Sequence, residues 1–444
     1  MWEADLVVKA RSQVTSGNGA PDLSNGAPSQ RSAPDSARPL PLLEPRAPIP
    51  PVVSGPDDYA VAVRALQAGT GPVAVDAERA SGYRYGQRAY LVQFWREGTG
   101  TVLIDPIACT DLSRVGAALA NSEAVLHAAS QDLPCLAELS YRPERIFDTE
   151  LAGRLLGFPR VGLATLVEEI LGLRMEKGHS AADWSTRPLP AAWLRYAALD
   201  VEALVDLRNA LAEQLDAAGK SEWARQEFTA VLASRLPRPR RDPWRRTSGI
   251  HRVRARRGLA AVRELWHTRD DAARKLDLSP GRLLPDAAIV EAARTLPATQ
   301  AELHAIAGFT GRNARQRTAT WLRALSRARN GAEDTLPEAA AQTEGPPPAS
   351  RWAERDPAAA RRLESARTVV AAIADEHTVP SENLLQPDAV RRLAWSPPTE
   401  PTVAAVAGML AGHGARPWQI ELTAAPLAGA LRRLHDKGEA RCQE

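Results

Sequence analysis

Two acidic side chains, Asp76 and Glu78, stand at the end of an apolar segment. They lie in GPVAVDAERASG, residues 71–82, directly after Val73–Val75. The alternation of a β-strand would place both carboxylates on the same face of a sheet. Like charges held close together are unfavourable unless a positive charge lies between them. The pair is therefore either a solvated strand end or one half of a metal site.

Further acidic residues follow in segments that a fold could bring to the same point. LHAASQDL at 126–133 places Asp132 directly after an apolar segment. YAALDVEAL at 196–204 places Tyr196 and Asp200 four residues apart, on one face of a helix. Each motif alone has a structural explanation, because Asp132 could cap a helix, and Tyr196 and Asp200 could form an exposed helical pair.

Hydrolysis of a phosphodiester bond is the chemistry that fits these residue types in this order. Two divalent cations about 3.5–4 Å apart stabilise the attacking and the leaving oxygens of an in-line displacement. Mg²⁺ prefers oxygen ligands, so carboxylates from a strand, a helix start and a later helix would suit a pair of Mg²⁺ or Mn²⁺ ions. A phenol that is neutral at pH 7 can hold the attacking water by a hydrogen bond.

Alternating strand and helix patterns from about residue 56 would position these motifs. Short connections between the first three strand patterns predict an antiparallel meander, at residues 73–77, 90–95 and 101–105. A helix at 111–120, a strand at 124–128 and helices from about 149 to 233 follow. The predicted fold class is an α/β domain with a mixed sheet flanked by helices, followed by two all-α domains.

Composition predicts the domain boundaries. A Pro/Ser/Gly-rich segment precedes the regular patterns. A basic segment, residues 235–257, interrupts them with ten arginines and one aspartate. The predicted divisions are a disordered tail (1–55), the α/β domain (56–235), a basic linker (236–250), a helical domain (251–330), a Pro-rich acidic linker (331–355) and a second helical domain (356–440). SPGRLLPDAAIVEAA at 279–293 is similar to PSENLLQPDAVRRLA at 380–394, which indicates a duplicated helical domain unless the similarity is due to chance.

The composition excludes some classes of protein. The net charge of +3 is nearly neutral and says little about partners. No run of 18 apolar residues occurs and the N-terminus lacks the apolar core of a secretory signal, so no membrane span is expected. Cys109, Cys135 and Cys442 match neither a zinc pattern nor a disulfide framework. We expect a cytoplasmic monomer, and no protein partner is evident.

These motifs resemble the DEDDy family of 3′–5′ exonucleases, and within it ribonuclease D, over about residues 56–330. VAVDAE, LHAASQDL and LRYAALDVEAL resemble the three exonuclease motifs, and DWSTRPL at 183–189 is a more specific match. The helical domains resemble HRDC domains, the second in degenerate form. The resemblance implies a ribonuclease H-like fold and a metal-dependent 3′–5′ exoribonuclease that trims tRNA precursors and other stable RNAs, releasing nucleoside 5′-monophosphates.

The resemblance also implies a role for each acidic residue. Asp76 would bridge two divalent ions, Mg²⁺ or Mn²⁺. Glu78 and Asp200 would hold the ion that activates water, Asp132 would serve the second ion, and Tyr196 would orient the nucleophile. Every expected residue type is present, so the resemblance gives no sign of an inactive enzyme.

Several other residues are candidate nucleic-acid contacts. They are Gln93, on a strand next to the first motif; Lys177, shortly before DWSTRPL; Arg187, within DWSTRPL; and Trp244, Arg245 and Arg246, in the basic segment. Clustered arginines would bind phosphates in a salt-sensitive way, and an interleaved tryptophan can stack on an unpaired base. The alternatives are a solvated linker for the basic segment and, for Arg187, a role in holding its own loop.

Two histidines lie near the acidic motifs. His127 is expected to be a satisfied core residue rather than a ligand. His179, in a loop near the site, is a weaker candidate for approaching the scissile phosphate.

Two further functions stay open at the level of the sequence. A 3′–5′ DNA exonuclease would need the same acidic site, because RNA and DNA present the same phosphodiester and differ in the 2′-hydroxyl. A non-catalytic nucleic-acid-binding protein would be expected to have lost a metal carboxylate, and none is lost.

Overall fold

The computed structural model describes residues 40–176, 178–234, 241–339 and 345–442, with side chains up to residue 434. Lys177 and residues 1–39 of the predicted tail lie outside these ranges. Within them, no helix combines the length and the apolar character that crossing a membrane requires.

A five-stranded mixed sheet forms the centre of the α/β domain. Its spatial order is β3-β2-β1-β4-β5, with β1–β3 antiparallel and β4 and β5 parallel to β1. The strands are β1 Thr70–Arg79, β2 Ala89–Glu97, β3 Gly100–Ile104, β4 Ala124–Leu126 and β5 Ile146–Asp148. The predicted meander is confirmed, whereas β5 was not predicted because three residues carry too little pattern.

Helices cover the sheet and carry the third motif. The helices of this domain are α1 Pro56–Ala68, α2 Ser113–Ala118, α3 Leu133–Glu138, α4 Thr149–Leu155, α5 Leu163–Leu166, α6 Ala191–Glu202, α7 Leu204–Ala217 and α8 Ser221–Ala233. Val73–Val75 at the centre of β1 are fully buried. α6 packs across β1, β2 and β3, and α7 packs on β1 and β4, so the helix with the third motif lies against the strand with the first.

The segment before α1 is ordered where the structure describes it. Leu42 forms a bridge to Arg174, and Val53 forms one to Ile104. The backbone N–H of Arg46 donates to Glu202 at 2.8 Å. The prediction of a disordered tail therefore needs correction over 40–55, because this segment packs on the α/β domain.

The first helical domain begins earlier than predicted. Trp244 and Val253 are buried in one core with Leu259 and Leu336. The described part of the predicted basic linker is thus packed on the helices that follow it, and the prediction of a linker over 241–250 also needs correction. The helices are α9 Arg256–Leu276, α10 Pro280–Leu283, α11 Asp286–Thr295, α12 Gln300–His304, α13 Arg312–Arg315 and α14 Thr318–Asn330.

The C-terminal helical domain has a similar order of elements. It contains α15 Trp352–Arg355, α16 Pro357–Glu376, α17 Ser381–Leu384, α18 Pro387–Trp395, α19 Val403–Gly412 and α20 Pro417–Cys442. The two segments with similar sequence fall on α10–α11 and α17–α18. Trp352 is buried in the core, so the described end of the predicted acidic linker is also packed.

The C-terminal helical domain shares a hydrophobic core with the α/β domain. The indoles of Trp223 and Trp418 stack with centroids 4.6 Å apart. The buried Lys220 ammonium donates to the carbonyls of Leu155 at 2.6 Å and His377 at 2.7 Å, joining the two domains. These contacts make the C-terminal helices part of the support of the α/β domain.

Candidate active site

The end of β1 lies in a cleft of about 860 Å³. β4 runs parallel beside β1, so the chain that leaves β4 at Leu126 reaches the same edge of the sheet. α6 brings the third motif over this edge. The cleft is lined by all five residues predicted to be catalytic: Asp76, Glu78, Asp132, Tyr196 and Asp200.

Asp76, Glu78 and Asp200 form the tightest cluster. Each offers one carboxylate oxygen, and these atoms lie within 4.8 Å of one another. Asp76 is held from the neighbouring strand, because Gln93 lies opposite it in the sheet and its amide donates to Asp76 Oδ2 at 2.6 Å. The strand and α6 therefore present the three carboxylates as a preformed group.

Burial and mutual repulsion make these carboxyl groups hard to ionise. Burial raises the pKa of Asp76 to about 6. Burial, and next the charges of Asp76 and Asp200, raise the pKa of Glu78 to about 10. Burial is also the main cause that raises the pKa of Asp200. A divalent cation would stabilise the charged forms, and a cluster of hard oxygen donors suits Mg²⁺ or Mn²⁺.

Asp132 faces the cleft instead of capping the helix that it precedes. Its carboxylate makes no hydrogen bond to the first turn of α3. It pairs with Arg79, whose Nη2 lies 3.1 Å from Asp132 Oδ1 and whose Nη1 donates to the Gln131 carbonyl at 2.8 Å. Arg79 is the sole lysine or arginine among the described residues that line the cleft. Strand alternation predicts that Arg79 points away from Asp76 and Glu78, but an irregularity between Glu78 and Arg79 changes the register.

A second missed residue, Asp148, shapes the segment that carries Asp132. Its buried carboxylate accepts from the N–H groups of Ala128 at 3.1 Å and Ala129 at 2.8 Å. It also accepts from Glu150 and Leu151, which caps α4. Ala128 has a φ of 58°, a conformation that a non-glycine residue seldom adopts without such support. No motif in the sequence marks this role, since it depends on β5 lying beside β4.

Tyr196 lies beside the carboxylate cluster, one helical turn before Asp200. Burial, and next the charge of the nearby Asp200 carboxylate, raise the pKa of the phenol well above its ordinary value. The phenol is therefore neutral at pH 7. The DWSTRPL loop supports it, because the buried Trp184 packs on Tyr196 with ring centroids 6.5 Å apart. His179 contacts the edge of Tyr196 at 5.9 Å.

The structure bears on two of the predicted nucleic-acid contacts in the α/β domain and contradicts the one at Gln93. Gln93 is fully buried and holds Asp76, so it cannot face a nucleotide. Arg187 makes a bidentate pair with Asp105, with both N–O distances at 2.8 Å, and donates to the Tyr90 carbonyl at 2.7 Å. The alternative in which Arg187 holds its own loop is the one that these contacts favour. Lys177 lies outside the described residues.

The contacts predicted in the basic segment also change. Trp244 is 1% exposed, so it packs in the core of the first helical domain and cannot stack on a base. Arg245 lies over the Trp244 ring at 4.4 Å and donates to the Glu338 carbonyl at 2.8 Å, which gives it a structural role. Arg246 is exposed, and its contact with nucleic acid stays a prediction.

Comparison with known proteins assigns a family to each part of the chain. Residues 51–216 match the family model described as 3′–5′ exonuclease, and residues 258–325 match the HRDC domain. Residues 345–431 match a model described as 3′ to 5′ exonuclease C-terminal domain. The first two matches fit the fold and the cleft described above.

Similar proteins cover most of the chain. Ribonuclease D of Gluconacetobacter diazotrophicus is 31% identical over 334 residues, which are 73% of this chain and 81% of that protein. A crystal structure of a protein from Bifidobacterium adolescentis is 36% identical, with a TM-score of 0.81 over 88% of this chain and 100% of that one. The ribonuclease D structure from Escherichia coli, at 24% identity, shares the fold with a TM-score of 0.64 over 86% of this chain and 98% of that one. The chain belongs to the ribonuclease D family of 3′–5′ exoribonucleases.

Proposed function

We propose that this protein shortens the 3′ ends of tRNA precursors and other stable RNAs one nucleotide at a time, with two divalent ions, Mg²⁺ or Mn²⁺, held by its four cleft carboxylates. The observation that carries the proposal is the cluster of Asp76, Glu78 and Asp200 oxygens within 4.8 Å, with Asp132 and Tyr196 in the same cleft. The tRNA substrate rests on the family resemblance. The cellular site would be the cytoplasm.

Each side chain has a task that its position supports. When bound, the ions would supply Lewis-acid stabilisation of the attacking and leaving oxygens. Asp76 belongs to the cluster with Glu78 and Asp200, and its charge also acts on Asp132, so its carboxylate could help to hold both ions. Tyr196 is neutral and next to Asp200, so its hydroxyl can orient the attacking water by a hydrogen bond. Hydrolysis at the last phosphodiester would release a nucleoside 5′-monophosphate.

The experiment follows a 5′-labelled tRNA precursor with a 3′ extension, incubated with Mg²⁺ or Mn²⁺. We expect a ladder of products shortened by single nucleotides, with nucleoside 5′-monophosphates released. Asp200→Asn should slow shortening by a factor on the order of 10³, because bound metal ions stabilise the transition state by several kcal/mol. Asp216→Asn, an exposed position on α7, is the matched control and should behave as the wild type.

Two results would replace this proposal by an alternative. Faster degradation of a DNA oligomer of the same sequence would favour a DNA exonuclease. Binding of RNA without any shortening would favour a non-catalytic protein. An equal rate in Asp200→Asn and the wild type would show that the cleft is not the active site.

A further inference from the structure

The connection between β1 and β2 joins the catalytic cleft to the first helical domain. We call it the cleft loop, residues 80–88. It leaves β1 directly after Asp76 and Glu78, and its residues Ser81 and Gly82 line the cleft. The loop also contacts α9 and α10. The family motifs do not include these contacts, which lie about 190 residues apart in sequence.

Tyr85 makes the first contact. Its hydroxyl donates to the carboxylate of Asp270 on α9, with both oxygens at 3.0 Å, and accepts from Arg274 at 3.2 Å. The ring packs against the core of the first helical domain. Its backbone N–H donates to Asp277 at 3.3 Å. Tyr85 is therefore a side chain of the α/β domain that is anchored in the neighbouring domain.

A second contact holds the part of the cleft loop that faces the cleft. Arg282 on α10 donates from Nε to the Gly82 carbonyl at 2.7 Å and lies over the Tyr83 ring at 4.0 Å. The N–H of Ser279 donates to the Tyr83 carbonyl at 2.9 Å. The backbone of the cleft wall is thus bonded directly to the first helical domain.

The cleft loop also contacts the DWSTRPL loop, residues 183–189. Arg84 donates to the Ser185 hydroxyl at 2.8 Å, in the DWSTRPL loop. Trp184 in that loop packs on Tyr196. A chain of contacts therefore runs from α9 through the cleft loop and Trp184 to Tyr196, which lies beside the carboxylates.

We propose that the first helical domain fixes the cleft loop as one wall of the passage through which an RNA 3′ end reaches the carboxylates, with Tyr85, Asp270 and Arg282 as positioning residues. The inference rests on the proposed exoribonuclease function and deepens it. A connection that contains two glycines has many accessible conformations, and the contacts select one of them before RNA binds. The affinity for RNA, rather than the chemical step, should depend on these residues.

Asp270→Ala and the matched control Asp271→Ala test the inference. The two residues are neighbours on α9, but the side chain of Asp270 is 17% exposed and that of Asp271 is 68% exposed. For a single-stranded 5′-labelled RNA, Asp270→Ala should raise KM about tenfold, the size of one lost hydrogen bond to a charged group, with kcat unchanged. Hydrogen exchange of residues 80–88 should become faster in the same variant. Asp271→Ala should change neither quantity.

Tyr85→Phe keeps the ring packing and removes only the hydroxyl, which guards against misfolding as an explanation. The double variant combines Tyr85→Phe with Asp270→Ala. If loss of the Tyr85–Asp270 hydrogen bond causes the rise in KM, the double variant should raise KM no more than Asp270→Ala alone. An unchanged KM in Asp270→Ala, an equal effect of Asp271→Ala, a fall confined to kcat, or additive effects in the double variant would overturn the inference. Failure of the proposed function looks different, because the wild type itself would then not shorten RNA.

Discussion

Replacing Asp148 by asparagine should both destabilise the protein and disturb the cleft. One carboxylate oxygen accepts from Ala128, Glu150 and Leu151, and the other accepts from Ala129 at 2.8 Å. An amide can keep only one acceptor oxygen, so its NH₂ group would face the N–H of Ala129. A lost hydrogen bond to a charged group costs about 1.5–3 kcal/mol, and a buried donor without a partner costs about 1–3 kcal/mol.

The fall in the free energy of unfolding caused by Asp148→Asn is smaller than the sum of these two costs, because the wild-type carboxylate is itself costly to bury. Burial raises the pKa of Asp148 to about 6, so part of the strength of its hydrogen bonds offsets desolvation. We expect the free energy of unfolding to fall by about 2–4 kcal/mol at pH 7. Displacement of Asp132 by even about 1 Å should lower kcat/KM by on the order of 10².

Urea denaturation and RNA degradation measure the two effects of Asp148→Asn. Asp356→Asn is the control, because Asp356 caps α16 by a hydrogen bond from the Ala359 N–H that an amide oxygen can replace, and its ion pair with Arg362 is long, at 3.8 Å. Its cost should stay below about 0.5 kcal/mol. Equal stability of the two variants, or full activity of Asp148→Asn, would refute the argument that this carboxylate shapes the segment 126–132.

Two further predictions concern charge. Burial lowers the pKa of His127 to about 4, so the folded protein favours the neutral ring. The contribution of His127 to the free energy of unfolding is therefore fully present above about pH 6.5. It is lost as the pH falls towards 4, by up to about 1.4 kcal/mol per pH unit. His127→Gln should remove this slope from urea denaturation between those values, and an unchanged slope would contradict the prediction. Burial raises the pKa of Asp76, Glu78 and Asp132, and the positive charge of Arg79 offsets part of that rise. Arg79→Met should therefore move the acidic limb of the pH–rate profile to higher pH, and a profile that does not move would show that Arg79 is too well screened to matter.

Local patterns were sufficient to predict the parts of the site that sit on regular elements. Strand alternation placed Asp76 and Glu78 on one face, and helical spacing placed Tyr196 above Asp200. The order of the motifs then predicted one shared cleft, where the structure places all five residues. The role of each residue in metal binding remains a prediction, because the geometry supports these roles without testing them.

Tertiary contacts decided the rest. Composition around Trp244 predicts a basic linker whose tryptophan contacts nucleic acid or solvent, but helices later in the chain bury this side chain. Arg187 meets Asp105, which lies 82 residues earlier, and no short-range pattern reveals that pairing. Asp148 acts through a three-residue strand, and Tyr85 acts through another domain. In each case the partner is distant in sequence and adjacent only after folding.

Mn²⁺ binding by the full chain, measured by calorimetry without RNA, tests most directly whether the carboxylate cluster is a metal centre. We predict binding by the wild type and by Asp216→Asn, and affinity at least about tenfold weaker in Asp200→Asn, since one of three clustered ligands loses its charge. Absence of binding by the wild type, or equal affinity in Asp200→Asn, would contradict the account.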